Sequence, residues 1–328
     1  MIFALVTLIG LSILIFYLSH VLPSDPGRLA LGPYATASQV ANYDRQLGLD
    51  KPLYEQYFLY VWNLLRGNWG MSLTTHQNVL ADVEYFFPST FELITISIIL
   101  TALIGIPLGV IAGAYRGKGI SALVRVLWIA GIAVPPFAAG IFLQLIFGYF
   151  TNLLPITGQL TGPLPTHITG MYLVDSLLTR NWPALVDSAR HLILPEIALS
   201  LAGIGQIAQL TYAGMLDQTQ EDYYLALGAF GASSWDANFK YALRTALVPV
   251  LTILGLLYAS LVANAFLVEI VFSWGGLSQY AVQAMQSNDF NAVIATVLII
   301  GIFYVSLNSF VDIGLGYVDP RIRLGESE

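Results

Sequence analysis

Long runs of Ile, Leu, Val, Ala and Phe, each broken by a shorter polar or charged stretch, set the pattern of this chain. About 20 helical residues at 1.5 Å each cross a hydrocarbon core of roughly 30 Å. Six runs reach that length, at residues 2–22, 91–115, 123–150, 192–216, 245–268 and 292–317. They predict an all-α integral membrane protein with six transmembrane helices. The first run has no Lys or Arg before Arg28, and the SHVLPSDP after it holds no small-x-small cleavage site. A retained anchor, residues 1–23, is therefore expected rather than a cleaved signal peptide.

Between the first and second runs, residues 24–90 turn polar and aromatic. Asp50 is placed to cap a helix with Pro52 in its first turn. Leu53, Tyr57, Val61, Leu64 and Leu65 then recur at helical spacing, and Gly67 stops it. This predicts a helical insertion outside the membrane. Tyr54, Tyr57, Tyr60, Trp62 and Trp69 lie at headgroup level or pack the insertion's own core.

If the first helix enters from the cytoplasm, the loops near 116–125 and 217–244 and the tail after 317 share one side. They hold seven of the 13 Lys and Arg in fewer positions than the opposite loops use for the remaining six. The positive-inside rule then puts both termini in the cytoplasm and residues 24–90 outside. Residues 91–317 form a five-helix core, with a cytoplasmic region at 217–249 between the fourth and fifth spans and a tail at 318–328.

Composition narrows the function. The chain of 328 residues is 56% hydrophobic and only 10% charged, against about 25% charged in soluble domains. A net charge of -7 and the lack of a basic face argue against nucleic acid. The absence of cysteine excludes disulfides and thiolate metal sites. His20, His76, His167 and His191 fall on the outer side without the i, i+4 spacing of a helical metal site. GAYRGKGIS has Gly119 where a phosphate-binding loop needs Ser or Thr, and no catalytic pair has a telling spacing.

Five prolines fall in the spans. Pro107, Pro135, Pro136, Pro195 and Pro249 each remove a helical hydrogen bond and are expected hinges. Glu92, Glu196, Glu269 and Asp312 lie close to span ends, where snorkelling to water is the expected solution. Gln206, Gln209 and Asn264 sit deeper, as a polar pathway or as interhelical hydrogen bonds.

The stretch 221–249, EDYYLALGAFGASSWDANFKYALRTALVP, mixes charge and hydrophobicity between two apolar spans. Thr219 with Asp222 reads as a helix start, Gly231 as its stop, and Ser233 with Asp236 as a second start leading through Lys240 and Arg244 into the fifth span. Tyr223, Leu225, Leu227 and Phe230 need a covering surface, either a partner groove or the lipid interface.

DYYLALGAFG followed by ALRTALVPVLTILG resembles the cytoplasmic coupling motif of ABC-transporter permeases. LGLDKPLYEQYFLYVWNLLRGNWGMS, PSTFELITISI, GIPLGVIAGAYRGK, HLILPEIALSL, VEIVFSWGGLSQYAV and YVDPRIR extend the likeness to the B-type membrane subunit of dipeptide, oligopeptide and nickel importers. The resemblance implies that Asp222, Tyr223, Leu225, Ala229, Phe230, Gly231 and Arg244 couple the spans to an ATPase. Leu225, Gly228 and Phe230 stand where relatives usually carry basic residues, so the groove they fit is expected to be more apolar. The family's basic N-terminal flank is also missing, as a misplaced start codon would produce.

The implied partners are a homologous second permease, two cytoplasmic ATPase subunits, an extracytoplasmic solute-binding protein and membrane lipid. The chain itself is non-catalytic and holds no cofactor, ATP being used by the partners. The binding protein is expected on the outer segments 24–88, 151–191 and 269–289. Peptides are the first expectation for the solute, with oligosaccharides or nickel as alternatives. A passive channel or receptor would share the six spans without needing a displayed cytoplasmic helix.

Overall fold

A computed structural model describes residues 2–21, 34, 36–48 and 51–318. Among these the chain is all-helical, and its only β pairing is an isolated bridge between Met71 and Asn78. The helices are α1 (Ile2–Val21), α2 (Ala37–Leu47), α3 (Leu53–Leu65), α4 (Val79–Ala114), α5 (Gly119–Ala133), α6 (Pro136–Leu143), α7 (Tyr172–Leu178), α8 (Trp182–Gln218), α9 (Asp222–Ala229), α10 (Leu243–Phe272), α11 (Leu277–Gln286) and α12 (Phe290–Val318). Two π-helical turns, Gln144–Phe150 and Asp236–Ala242, extend α6 and lead into α10.

Four of these are long and apolar enough to cross a membrane: α4, α8, α10 with its π turn, and α12. A fifth span arises if α5 and α6 count as one, although they meet at 103°. The sequence pattern predicts one run there, hinged at Pro135 and Pro136. Instead Val134 and Pro135 are extended, at φ -97, ψ 121 and φ -60, ψ 139. Each precedes a proline ring, which disfavours helical backbone, and the two in succession break the helix rather than hinge it. Helices α4, α8 and α10, by contrast, run through Pro107, Pro195 and Pro249 without interruption. Within α1 the apolar stretch with described side chains is Val6–Tyr17.

The chain forms two compact units. The first comprises Met1–Phe87 and Gly276–Ser306. Here Val79, Val83 and Ala295 pack with Trp69, Phe87 and Ile299, and the Tyr280 ring stacks on Phe86 at 5.0 Å. Two buried aspartates fix its polar loop. Asp289 accepts from the Ser72 hydroxyl (2.5 Å), the Thr74 N–H (3.1 Å) and the Ala292 N–H (3.2 Å), the last capping α12. Asp82 accepts from Thr75 (2.6 Å) and from the Tyr280 hydroxyl (2.9 Å). Helix α3 begins after Pro52, which caps it from outside rather than within its first turn, and ends where Gly67 adopts φ +78. Asp50 lies outside the described residues. Tyr57 and Tyr60 pack on Phe16 of α1, while Tyr54 and Trp62 are exposed.

The second unit comprises Pro88–Gly275 and Leu307–Glu328. Helix α8 is its axis, packed by α5, α6, α7 and α10. The Asn181 side chain accepts from the Ala184 N–H and Pro183 follows it, so α8 starts at Trp182, well before the predicted span. Small residues bring α4 close to it: a Cβ on Gly109 would lie 2.5 Å from Thr211 Cβ and 2.6 Å from the Ala208 carbonyl oxygen.

The acids near the span ends do not snorkel. Glu92, Glu196 and Glu269 are all buried. Glu92 accepts the Leu173 and Val174 N–H groups at the start of α7 (3.1 and 3.3 Å), where the positive helix end favours a carboxylate. Glu196 accepts from the Ser97 hydroxyl at 2.5 Å. Asp312 has no described side chain.

Candidate coupling surface

The stretch 219–249 folds as a short helix hung between two spans. Helix α9 starts after Glu221, which is extended and makes no side-chain cap, so Thr219 with Asp222 is not its start. Thr219 instead closes α8, its hydroxyl donating to the Leu216 carbonyl. The predicted stop at Gly231 is present. Gly231 has φ +80 and its N–H donates to Gly228 O, while the Ala232 N–H reaches back to Leu227 O at 3.0 Å. Paired back-bonds of this kind require a left-handed residue, which glycine adopts at little cost. The second predicted start is also there: the Ser233 hydroxyl donates to Asp236 (2.5 Å) and accepts the Asp236 N–H (3.1 Å).

What α9 presents is apolar. Phe230 is 88% exposed and Leu225 69%. Asp222, Tyr223, Ala229 and Gly231 are exposed on the same short element, and Arg244 is exposed in the first turn of α10. A Cβ on Gly231 would meet nothing in this chain. Burial pushes the Tyr223 phenol up. Its hydroxyl donates to Gln218 at 2.9 Å.

The helix is held from below by a residue that the sequence reading passes over. Tyr224 packs on a cluster of Val110, Met215, Ala242 and Ala246, which brings together the ends of α4, α8 and α10. Its hydroxyl donates to Asn238 Oδ1 at 3.1 Å, and Asn238 in turn donates to the Ser234 carbonyl. Phe239 joins the cluster and stacks on the exposed Trp235 at 3.9 Å. Tyr224 differs from its neighbours in facing the spans, a helical-phase signal that eight residues carry only weakly.

The span amides have a different setting. Gln206 and Gln209 on α8 and Asn264 on α10 are exposed, and Asn264 donates to the Ser260 carbonyl of its own helix. The interhelical hydrogen bond expected as the alternative is thus not made by Asn264. Among the described residues no cluster of three His, Cys, Asp or Glu could hold a metal ion.

Residues 105–324 match the family model described as binding-protein-dependent transport system inner membrane component. Residues 1–94 match the model for the N-terminal part of such membrane components. The chain belongs to this family. It is 39% identical over 321 residues to a probable D,D-dipeptide transport system permease protein of Escherichia coli, covering 97% of this chain and 94% of that one. A di/tripeptide transport system permease protein of Pseudomonas aeruginosa is 36% identical, covering 97% and 95%. A glutathione transport system permease protein of Shigella flexneri is 31% identical over the same shares. The chain is thus the permease component of a transport system that depends on a binding protein.

Proposed function

We propose that this permease forms half of the pathway of an ATP-driven importer of short peptides, with a homologous second permease as the other half and two ATPases beneath. Six spans carry it, α1 and the bent α5–α6 pair included, with both termini cytoplasmic, 24–90 outside and α9 inside. The observation that carries the reading is α9 itself: an exposed apolar helix that Tyr224 anchors at the meeting point of three spans. A push on Leu225 or Phe230 is delivered to α4, α8 and α10 together, which is how closure of two ATPases rocks a bundle between two access states. Asp222, Tyr223, Ala229, Gly231 and Arg244 frame that contact. Pro107, Pro195 and Pro249 are places where the moving helices bend, and the break at Pro135 and Pro136 lets α5 and α6 move separately.

Short peptides are the solute class of the named relatives. Gln206, Gln209 and Asn264 fit that class, since exposed amides in a span are costly against lipid but match peptide groups in a pathway.

The test compares Gly231→Trp with Gly231→Ala in the assembled complex in lipid. Both substitutions bear the left-handed backbone strain, and the Cβ that both add meets nothing within 4 Å in this chain. Only the indole reaches a docked ATPase. Stimulated ATP hydrolysis that survives in Gly231→Ala and is lost in Gly231→Trp supports the coupling reading, while equal behaviour of the two removes it.

A further inference from the structure

We infer that residues 151–191 carry a cationic face that docks an acidic surface of the solute-binding protein, an inference that rests on this segment lying outside the membrane. By sequence the segment is balanced, with Asp175 and Asp187 against Arg180 and Arg190. Its surface is not balanced, because the fold consumes the acids and displays the bases.

Asp175 is wholly buried at the start of α7. It accepts the N–H groups of Ile168 (3.1 Å), Thr169 (2.8 Å) and Gly170 (3.1 Å) and the Thr169 hydroxyl (2.7 Å), which exhausts its oxygens on its own loop. Asp187 is half-buried, with Oδ2 on the Thr161 and Gly162 N–H groups (2.8 and 2.9 Å) and Oδ1 3.4 Å from His191. Arg180 sits exposed at the turn between α7 and α8. Arg190, one turn beyond Asp187, is exposed too, and one nitrogen donates to the Leu153 carbonyl at 3.0 Å. Asp187 offsets Arg190 in part, yet neither arginine forms an ion pair among the described residues.

The shape suits a carboxylate. A cleft of about 330 Å³ opens beside Arg190, lined also by Leu153, Thr161, Asp187 and His191. A planar guanidinium at its edge offers paired donors to an entering Asp or Glu side chain. The position suits it as well. Helix α8 has 37 residues, about 55 Å at 1.5 Å per residue, which exceeds the roughly 30 Å hydrocarbon core, so part of it stands clear of the bilayer, and with residues 151–191 outside that part includes its N-terminal turns. The occupant is a binding protein because the family depends on one.

The experiment reconstitutes the complete transporter in nanodiscs and titrates the solute-binding protein of the same system while reading ATP hydrolysis at low and high salt. Wild type is compared with the double variants R180E/R190E and R180Q/R190Q. Exposed ion pairs and steering charges act mainly on encounter, so the glutamate variant should need roughly five- to tenfold more binding protein for half-maximal stimulation, and the glutamine variant an intermediate amount. The wild-type value should rise with salt and the glutamine variant's much less, with hydrolysis in the absence of binding protein unchanged in all three. Neither replacement reaches as far as the guanidinium that bonds the Leu153 carbonyl, so the difference between the two variants isolates the effect of charge from that of packing. Equal half-maximal concentrations with equal salt dependence overturn the cationic face while leaving binding-protein dependence intact. A wild type that no binding protein stimulates overturns both.

Discussion

Removing the Tyr224 side chain should uncouple ATP hydrolysis from transport without dismantling the spans. Tyr224 is half-buried against Val110, Met215, Ala242 and Ala246 and donates one hydrogen bond, to Asn238. Truncating a fully buried aromatic costs about 3–5 kcal/mol, so half-burial sets about 2. The hydrogen bond adds about 1 kcal/mol. A loss of about 3 kcal/mol is a factor of roughly 100 in the equilibrium that keeps α9 seated. An eight-residue helix has little stability of its own, so Tyr224→Ala should leave α9 largely unseated. Tyr224→Phe keeps the packing and should shift the equilibrium only about fivefold. The assay pairs solute uptake with ATP hydrolysis in proteoliposomes and follows protease cleavage within 219–235. The reasoning predicts faster cleavage and more ATP per solute for Tyr224→Ala, with Tyr224→Phe close to wild type. A Tyr224→Ala transporter that is cleaved no faster and moves solute at the wild-type ratio refutes the anchor.

Three further outcomes follow from other parts of the fold. Asp289→Ala strips the acceptor from Ser72, Thr74 and the α12 cap and should cost about 2–4 kcal/mol, read as a lowered Tm of the detergent-solubilised chain, with Asp289→Asn intermediate. Gly109→Val must push a side chain into the Ala208 carbonyl and Thr211 of α8, so a well-behaved monodisperse peak on size exclusion would contradict the close approach of α4 to α8. Asp175 is buried, which alone would raise its pKa, but the Thr169 hydroxyl and three backbone N–H groups outweigh that and hold it below the usual carboxylate range. Its stabilisation is full above the unfolded value of about 4 and is lost as pH falls through the lower folded value. The Tm gap between wild type and Asp175→Asn should therefore be widest near neutrality and shrink below about pH 4, and a gap independent of pH would contradict it.

The four long apolar helices α4, α8, α10 and α12 were legible because lipid demands long apolar runs, and the stop at Gly231 because a left-handed turn favours glycine. So was the Ser233–Asp236 start, since its partners are three residues apart. What escaped depends on groups distant in sequence. Glu92 looks like an acid at a span end, and only the fold brings the start of α7 to it; Glu196 likewise needs Ser97 from another helix. The break in the third predicted span was visible as two adjacent prolines but reads as a hinge until both preceding residues turn out extended. Tyr224 escaped because its neighbours in the sequence are equally apolar, and what sets it apart is the convergence of three helix ends beneath it. The short helices α2, α7 and α11 carry too few turns for periodicity to separate them from loop.

The most direct measurement of the central claim uses the absence of cysteine in this chain. A single cysteine at Leu225 or Phe230, both exposed in the isolated subunit, is tested in the assembled transporter for cross-linking to the ATPase subunit and, in sealed right-side-out vesicles, for reaction with a membrane-impermeant thiol reagent. The account predicts a cross-link to the ATPase at both positions and no reaction from outside. Labelling from outside, or no cross-link at either position in a transporter that hydrolyses ATP, would contradict it.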